Sequence, residues 1–120
     1  MKKLIYASIV VVSLLGACKS TKQPVATTPV VPLDCSNKSL SYATDIKSIL
    51  ETSCTKCHNS NNKGGYNFLT FESVKKAATN GYLLGSIKHQ KGYDAMPRGA
   101  PKLTQETIDK IECWINNGMK

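Results

Sequence analysis

CTKCH, residues 54–58, gathers two thiols and an imidazole into five positions of a 120-residue chain that holds five cysteines and two histidines in all. Three chemistries use such a cluster: a redox dithiol, half of a zinc site, or a point of covalent haem attachment. A redox C-x-x-C belongs in a strand-to-helix setting within a βαβ pattern, and no convincing strand is legible in this chain. A structural zinc site needs a second ligand pair, yet the other histidine, His89, has no cysteine near it. The C-x-x-C-H spacing suits haem c on geometric grounds. Two cysteines three positions apart at a helix end reach two vinyl groups on one side of a porphyrin and form thioethers. The adjoining histidine then lies under the iron and offers a ring nitrogen.

Upstream of the pentapeptide, Ile46, Ile49 and Leu50 recur at i, i+3, i+4 and predict a helix over 44–53. Thr44 is its expected N-cap, and Asp45 suits the positive helix end. Further back the chain opens Met1-Lys2-Lys3 and runs apolar from Leu4 to Ala17. That pattern reads as a secretory signal peptide, short of the roughly 20 residues a spanning helix needs. The run ends Leu15-Gly16-Ala17-Cys18, which resembles a bacterial lipobox, with cleavage before Cys18 and a lipid added to it. Export fits the pentapeptide, because haem c is attached outside the cytoplasm. An ordinary signal peptide with an unrelated cysteine is the blander alternative.

The stretch after Cys18, KSTKQPVATTPVVPLD, is rich in Pro, Thr and Val and has no helical period. Proline keeps such a tether extended, at about 3.1 Å per residue. The expected organisation is therefore a lipoprotein signal over 1–17, a lipid-anchored linker over 18–34 and a folded domain over 35–120. A domain of that size has a modest core and often relies on a crosslink or cofactor.

Downstream, residues 59–67 are turn-rich, with Gly64-Gly65 at their centre. Thr70 is expected to cap a helix over 71–79 that stops at Asn80-Gly81. A short apolar turn with Leu83, Leu84 and Ile87 follows. Then comes HQKGYDAMPRGAPKL, punctuated by glycine and proline around Met96. A last helix starts at Thr104, aligns Ile108, Ile111 and Ile115 with Trp114 beside them, and ends near Gly118.

CTKCH, the loop YDAMPRGAPKLT and the terminal segment IDKIECWINNG together resemble a small monohaem class I cytochrome c, over roughly residues 42–118. The resemblance implies an all-α fold wrapped around one covalent haem c. Cys54 and Cys57 would carry the thioethers, His58 would be the proximal iron ligand and Met96 the distal one. A lone methionine is usually core packing. Met96 differs in lying in a loop fixed by Pro97. His89 is the rival ligand, although a loop histidine that merely hydrogen-bonds is the commoner case. Met119 is discounted because it sits at the chain end, where fraying is expected. A Met/His pair raises the reduction potential and fills both axial sites, which implies a single-electron carrier that is not an enzyme in its own right. The alternatives are a haem-based gas or peroxide sensor with a labile sixth site, and a structural lipoprotein without haem.

With Cys18 assigned to lipid and Cys54 and Cys57 to haem, Cys35 and Cys113 remain. An even pair in an oxidising compartment suggests a disulfide, tying the N-terminal arm to the last helix on a face turned away from Ile115. Two free thiols are the other outcome. The formal charge is +8, or +6 once Lys2 and Lys3 leave with the signal. Lys56, Lys63, Lys88, Lys91, Arg98 and Lys102 flank the two loops expected to border the haem. As a set they imply a positive rim that steers an acidic redox partner; singly they are solvated surface. Export and the lipid make nucleic acid an improbable partner and place the protein on a membrane facing the periplasm.

Overall fold

Ser41 starts the first helix, three residues ahead of the expected cap at Thr44. Its backbone is extended, and its hydroxyl accepts the Thr44 N–H at 3.2 Å, while the Asp45 carboxylate accepts the Ser41 N–H at 2.9 Å. The reciprocal pair satisfies donors that a helix end otherwise leaves bare. Thr44 serves instead as a partner, its hydroxyl donating to Asp45 at 2.6 Å. That bond, with the one from Ser41, holds the Asp45 carboxyl below the usual carboxylate range. A π-helical turn, Tyr42–Ile46, runs straight into α1, Lys47–Ser53. Ile46 and Leu50 are buried to within 1%.

The computed structural model describes residues 32–61 and 63–120. The expected signal peptide, the lipid site at Cys18 and most of the tether lie outside them. Among the described residues all regular structure is helical, with no strand, so the fold is all-α. No helix there is long and apolar enough to cross a membrane.

The second helix, α2, spans Phe71–Thr79, with the Thr70 hydroxyl accepting the Ser73 N–H as anticipated and Asn80-Gly81 closing it in a left-handed turn. The apolar turn expected after it is a full short helix, α3, Tyr82–Ile87, which buries Leu83, Gly85 and Ile87. The last, α4, spans Gln105–Asn116 and is capped by Thr104 on the Thr107 N–H. It packs against the π turn and against α3, and α2 packs against α3.

Apolar side chains from the π turn and all four α-helices join one core that includes the fully buried Trp114. Tyr42, Phe71 and Trp114 form an aromatic trio, with centroids 5.0 to 6.4 Å apart, that joins the π turn, α2 and α4. The Lys120 main-chain oxygen accepts from both Tyr42 N–H at 2.7 Å and the Trp114 indole N–H at 3.0 Å. Met119 is therefore not frayed; it packs partly buried against this core. Trp114, with Ile108 and Ile111, is the inward stripe of α4, and Ile115 is only half-buried.

Cys35 and Cys113 are bonded, with an S–S distance of 2.02 Å. Cys113 is fully buried, because the N-terminal arm covers the side of α4 turned away from Ile115. Asn117 fastens the same arm, its side-chain amide donating to the Cys35 and Lys38 carbonyls at 3.2 and 2.8 Å.

Candidate functional site

The CTKCH segment coils directly off the end of α1. Cys54 is its C-cap and donates its N–H to the Leu50 carbonyl at 2.8 Å. The Cys54 carbonyl then accepts from both Cys57 and His58 N–H, at 3.1 and 2.9 Å. This double turn keeps the two thiols and the imidazole on one tight coil. Both thiols are free, Cys54 half-buried and Cys57 exposed. Burial pushes the Cys54 thiol up to about 11.

His58 is oriented from three sides. Its Nδ1 lies 3.3 Å from the Tyr66 carbonyl. A carbonyl only accepts, so Nδ1 is the donor, and in the neutral ring Nε2 is the nitrogen with the lone pair. The ring stacks on Phe68 with centroids 4.9 Å apart. Phe68 N–H donates to the His58 carbonyl at 2.8 Å and closes the intervening loop. Inside that loop the tight turn Lys63–Gly65 passes over the ring, with Gly64 in left-handed backbone at φ 67°. A metal-ligating imidazole with its second nitrogen donated to a carbonyl is the usual arrangement for fixing tautomer and direction.

The pentapeptide opens onto a cavity of about 1450 Å³. Pockets for ordinary small molecules run to about 300–1,000 Å³. Its wall is built from CTKCH, the turn at 63–66, the inward face of α3 and the loop 92–103, including Met96. The buried residues Phe68, Ala77, Leu83 and Ile87 form its apolar floor. Cys54, Cys57, His58 and Met96 thus line one space, although they come from separate loops. Cys35 and Cys113 are remote from it in role, as a structural bond.

His89, the rival ligand, is not on the cavity wall; it is exposed, with Nε2 engaged 3.0 Å from the Met96 carbonyl. Of the six basic residues expected around the rim, Lys56, Lys63 and Arg98 line the cavity, and Arg98 is paired with Asp94 at 3.0 Å. Lys88 instead joins Glu112 at 2.6 Å and bridges α3 to α4. Lys91 and Lys102 are exposed but lie off the wall. Among the described residues, no group of three or more His, Cys, Asp and Glu is placed to hold a metal ion.

Tyrosines at the cavity are the part that sequence reasoning missed. Tyr66, Tyr82 and Tyr93 line it together with Phe68, in a chain of ring contacts 5.7 to 6.0 Å between centroids. Tyr93 rests on α3 where Gly85 has no side chain; a Cβ there would come within 2.6 Å of the ring. A glycine inside a helical segment that contacts a loop aromatic is the signal that was available. Two thiols, an imidazole nitrogen and a thioether sulfur therefore border one apolar-floored cavity. Searched against protein-family models, curated proteins and solved structures, the chain matches none.

Proposed function

We propose that the protein is a small monohaem cytochrome c of the class I type, held at a membrane by a lipid on Cys18, that passes single electrons between partners in the periplasm. The observation that carries this reading is convergence. The C-x-x-C-H coil and Met96 border one large, apolar-floored cavity, and the His58 tautomer leaves its outer nitrogen free to ligate. Cys54 and Cys57 would hold haem c covalently, with His58 and Met96 as its iron ligands. Haem c held this way would supply one-electron transfer.

The chain's own residues do the rest. The Tyr66 carbonyl and the Phe68 ring fix the imidazole, so that ligation needs little reorientation. Phe68, Leu83 and Ile87 keep the floor of the site dry. Lys56 and Lys63 place uncompensated positive charge at the mouth, which attracts an acidic partner. A dithiol oxidoreductase is disfavoured, because those enzymes depend on a lowered thiol pKa and burial drives Cys54 the other way.

The test is production of the full chain in a host that exports and attaches haem c. The expected product is coloured, keeps its pigment through denaturation, and shows a sulfur-to-iron charge-transfer band that Met96→Ala removes. Its electron-transfer rate with an acidic partner falls as salt rises. Colourless exported protein, or a Met96→Ala spectrum identical to wild type, overturns the reading. Ready carbon monoxide binding by the reduced protein points instead to a sensor with a labile sixth site.

A further inference from the structure

Met96 is held through its main chain on both sides, and both holds come from the end of α3. Its N–H donates to the Ser86 carbonyl at 3.1 Å, and its carbonyl accepts from His89 Nε2 at 3.0 Å. His89 is the residue at which α3 turns off. Its own N–H donates to the Ser86 carbonyl at 3.1 Å, and the Gln90 N–H reaches the Gly85 carbonyl at 2.9 Å. These paired bonds form a Schellman closure, which calls for left-handed backbone at the residue past the helix. His89 adopts it, with φ 57°.

Glycine is the usual occupant of that position, since it has no Cβ to strain. A histidine there is an outlier of the kind from which function is fairly inferred. The left-handed turn brings its ring to the methionine seven residues on. Gly92, at φ 95°, lets the intervening loop double back. Tyr93 then seats the loop on α3 at Gly85.

We infer that His89 is a positioning residue for Met96: its imidazole N–H fixes the methionine loop on the end of α3 and thereby holds the thioether at the cavity. The inference rests on the haem reading above. It goes beyond that reading in giving the exposed second histidine a task other than ligation or contact with solvent. A merely structural role at the helix end predicts the opposite response to glycine, which closes a Schellman turn better than histidine does.

The experiment compares wild type, His89→Gly and His89→Gln as full-length haem-loaded proteins. The readouts are helicity, the sulfur-to-iron band, and displacement of methionine by added imidazole. His89→Gly keeps its helicity but shows a weakened band, and imidazole binds about 2- to 10-fold tighter, as loss of one hydrogen bond implies. His89→Gln retains an N–H donor on a side chain of similar reach and stays close to wild type. Wild-type imidazole affinity and an intact band in His89→Gly overturn the inference and leave the haem reading standing. So does a His89→Gln shift as large as that of glycine. A wild type with no sulfur-to-iron band removes methionine ligation itself, and both readings fall with it.

Discussion

Side chains around Trp114 meet one another, whereas those around Met96 meet at a cavity and depend on main-chain holds. On the first side, Ile46, Leu50, Ile108 and Ile111 close on the indole, an aromatic trio spans three elements, and a disulfide clips the arm to α4. On the second, Met96 and Leu103 are half-buried, Tyr82 is 51% exposed, and the loop 92–103 is pinned at α3 by Ser86, His89 and the Tyr93–Gly85 contact. The difference teaches where each kind of substitution should register. Changes in the packed half alter stability and leave the site chemistry alone. Under the proposed haem reading, changes in the cavity half alter ligation out of proportion to their effect on stability.

The largest effect expected in the packed half comes from Cys35→Ser with Cys113→Ser. The bond closes a loop of 78 residues, so its loss lowers stability by about 4 kcal/mol in the chain-entropy picture. Denaturant unfolding measures this, and the visible spectrum should not change. A spectral change would break the division between the halves. Next is Gly85→Ala, on the cavity side. A methyl group set 2.6 Å from the Tyr93 ring forces a shift costing about 1–3 kcal/mol. Because Tyr93 seats the methionine loop, the sulfur-to-iron band should weaken as well. An alanine variant with wild-type stability and spectrum would show that the ring moves aside freely.

The smallest effect is at the first helix cap. Ser41→Ala removes the hydroxyl that accepts the Thr44 N–H and should cost about 1 kcal/mol. The pH dependence of the same cap has a definite sign. The Asp45 pKa is lowered by folding, so its contribution is fully present above the ordinary carboxylate range and is lost as pH falls through the folded value. Asp45→Asn should flatten the acid limb of the stability curve there, read by thermal unfolding at several pH values.

Much of this layout was legible because it rests on local rules. Thr70 and Thr104 each stand immediately before a helical segment and cap α2 and α4 as expected. The pairing of Cys35 with Cys113 followed from assigning the other three cysteines. The start of the first helix was misplaced, since Ile46, Ile49 and Leu50 mark the α-helical face but do not register a π turn ahead of it. Tyr42, an aromatic residue four positions before Ile46 that meets Phe71 edge-on, was the clue. The Lys88–Glu112 pair and the His89–Met96 bond could not be read at all. Both join residues through three-dimensional proximity, and no spacing rule distinguishes such partners from solvated loop residues.

The N-terminal arm enters the folded body at Cys35, and the sulfur bridge hands it to the last turn of α4. A pull on the arm is therefore loaded onto a covalent bolt beside the largest fully buried side chain, Trp114. Neither the thiol coil nor the methionine strap lies along that line of force. Strain entering at the arm is thus taken up first by that bridge, apart from the coil 54–58 and the loop around Met96.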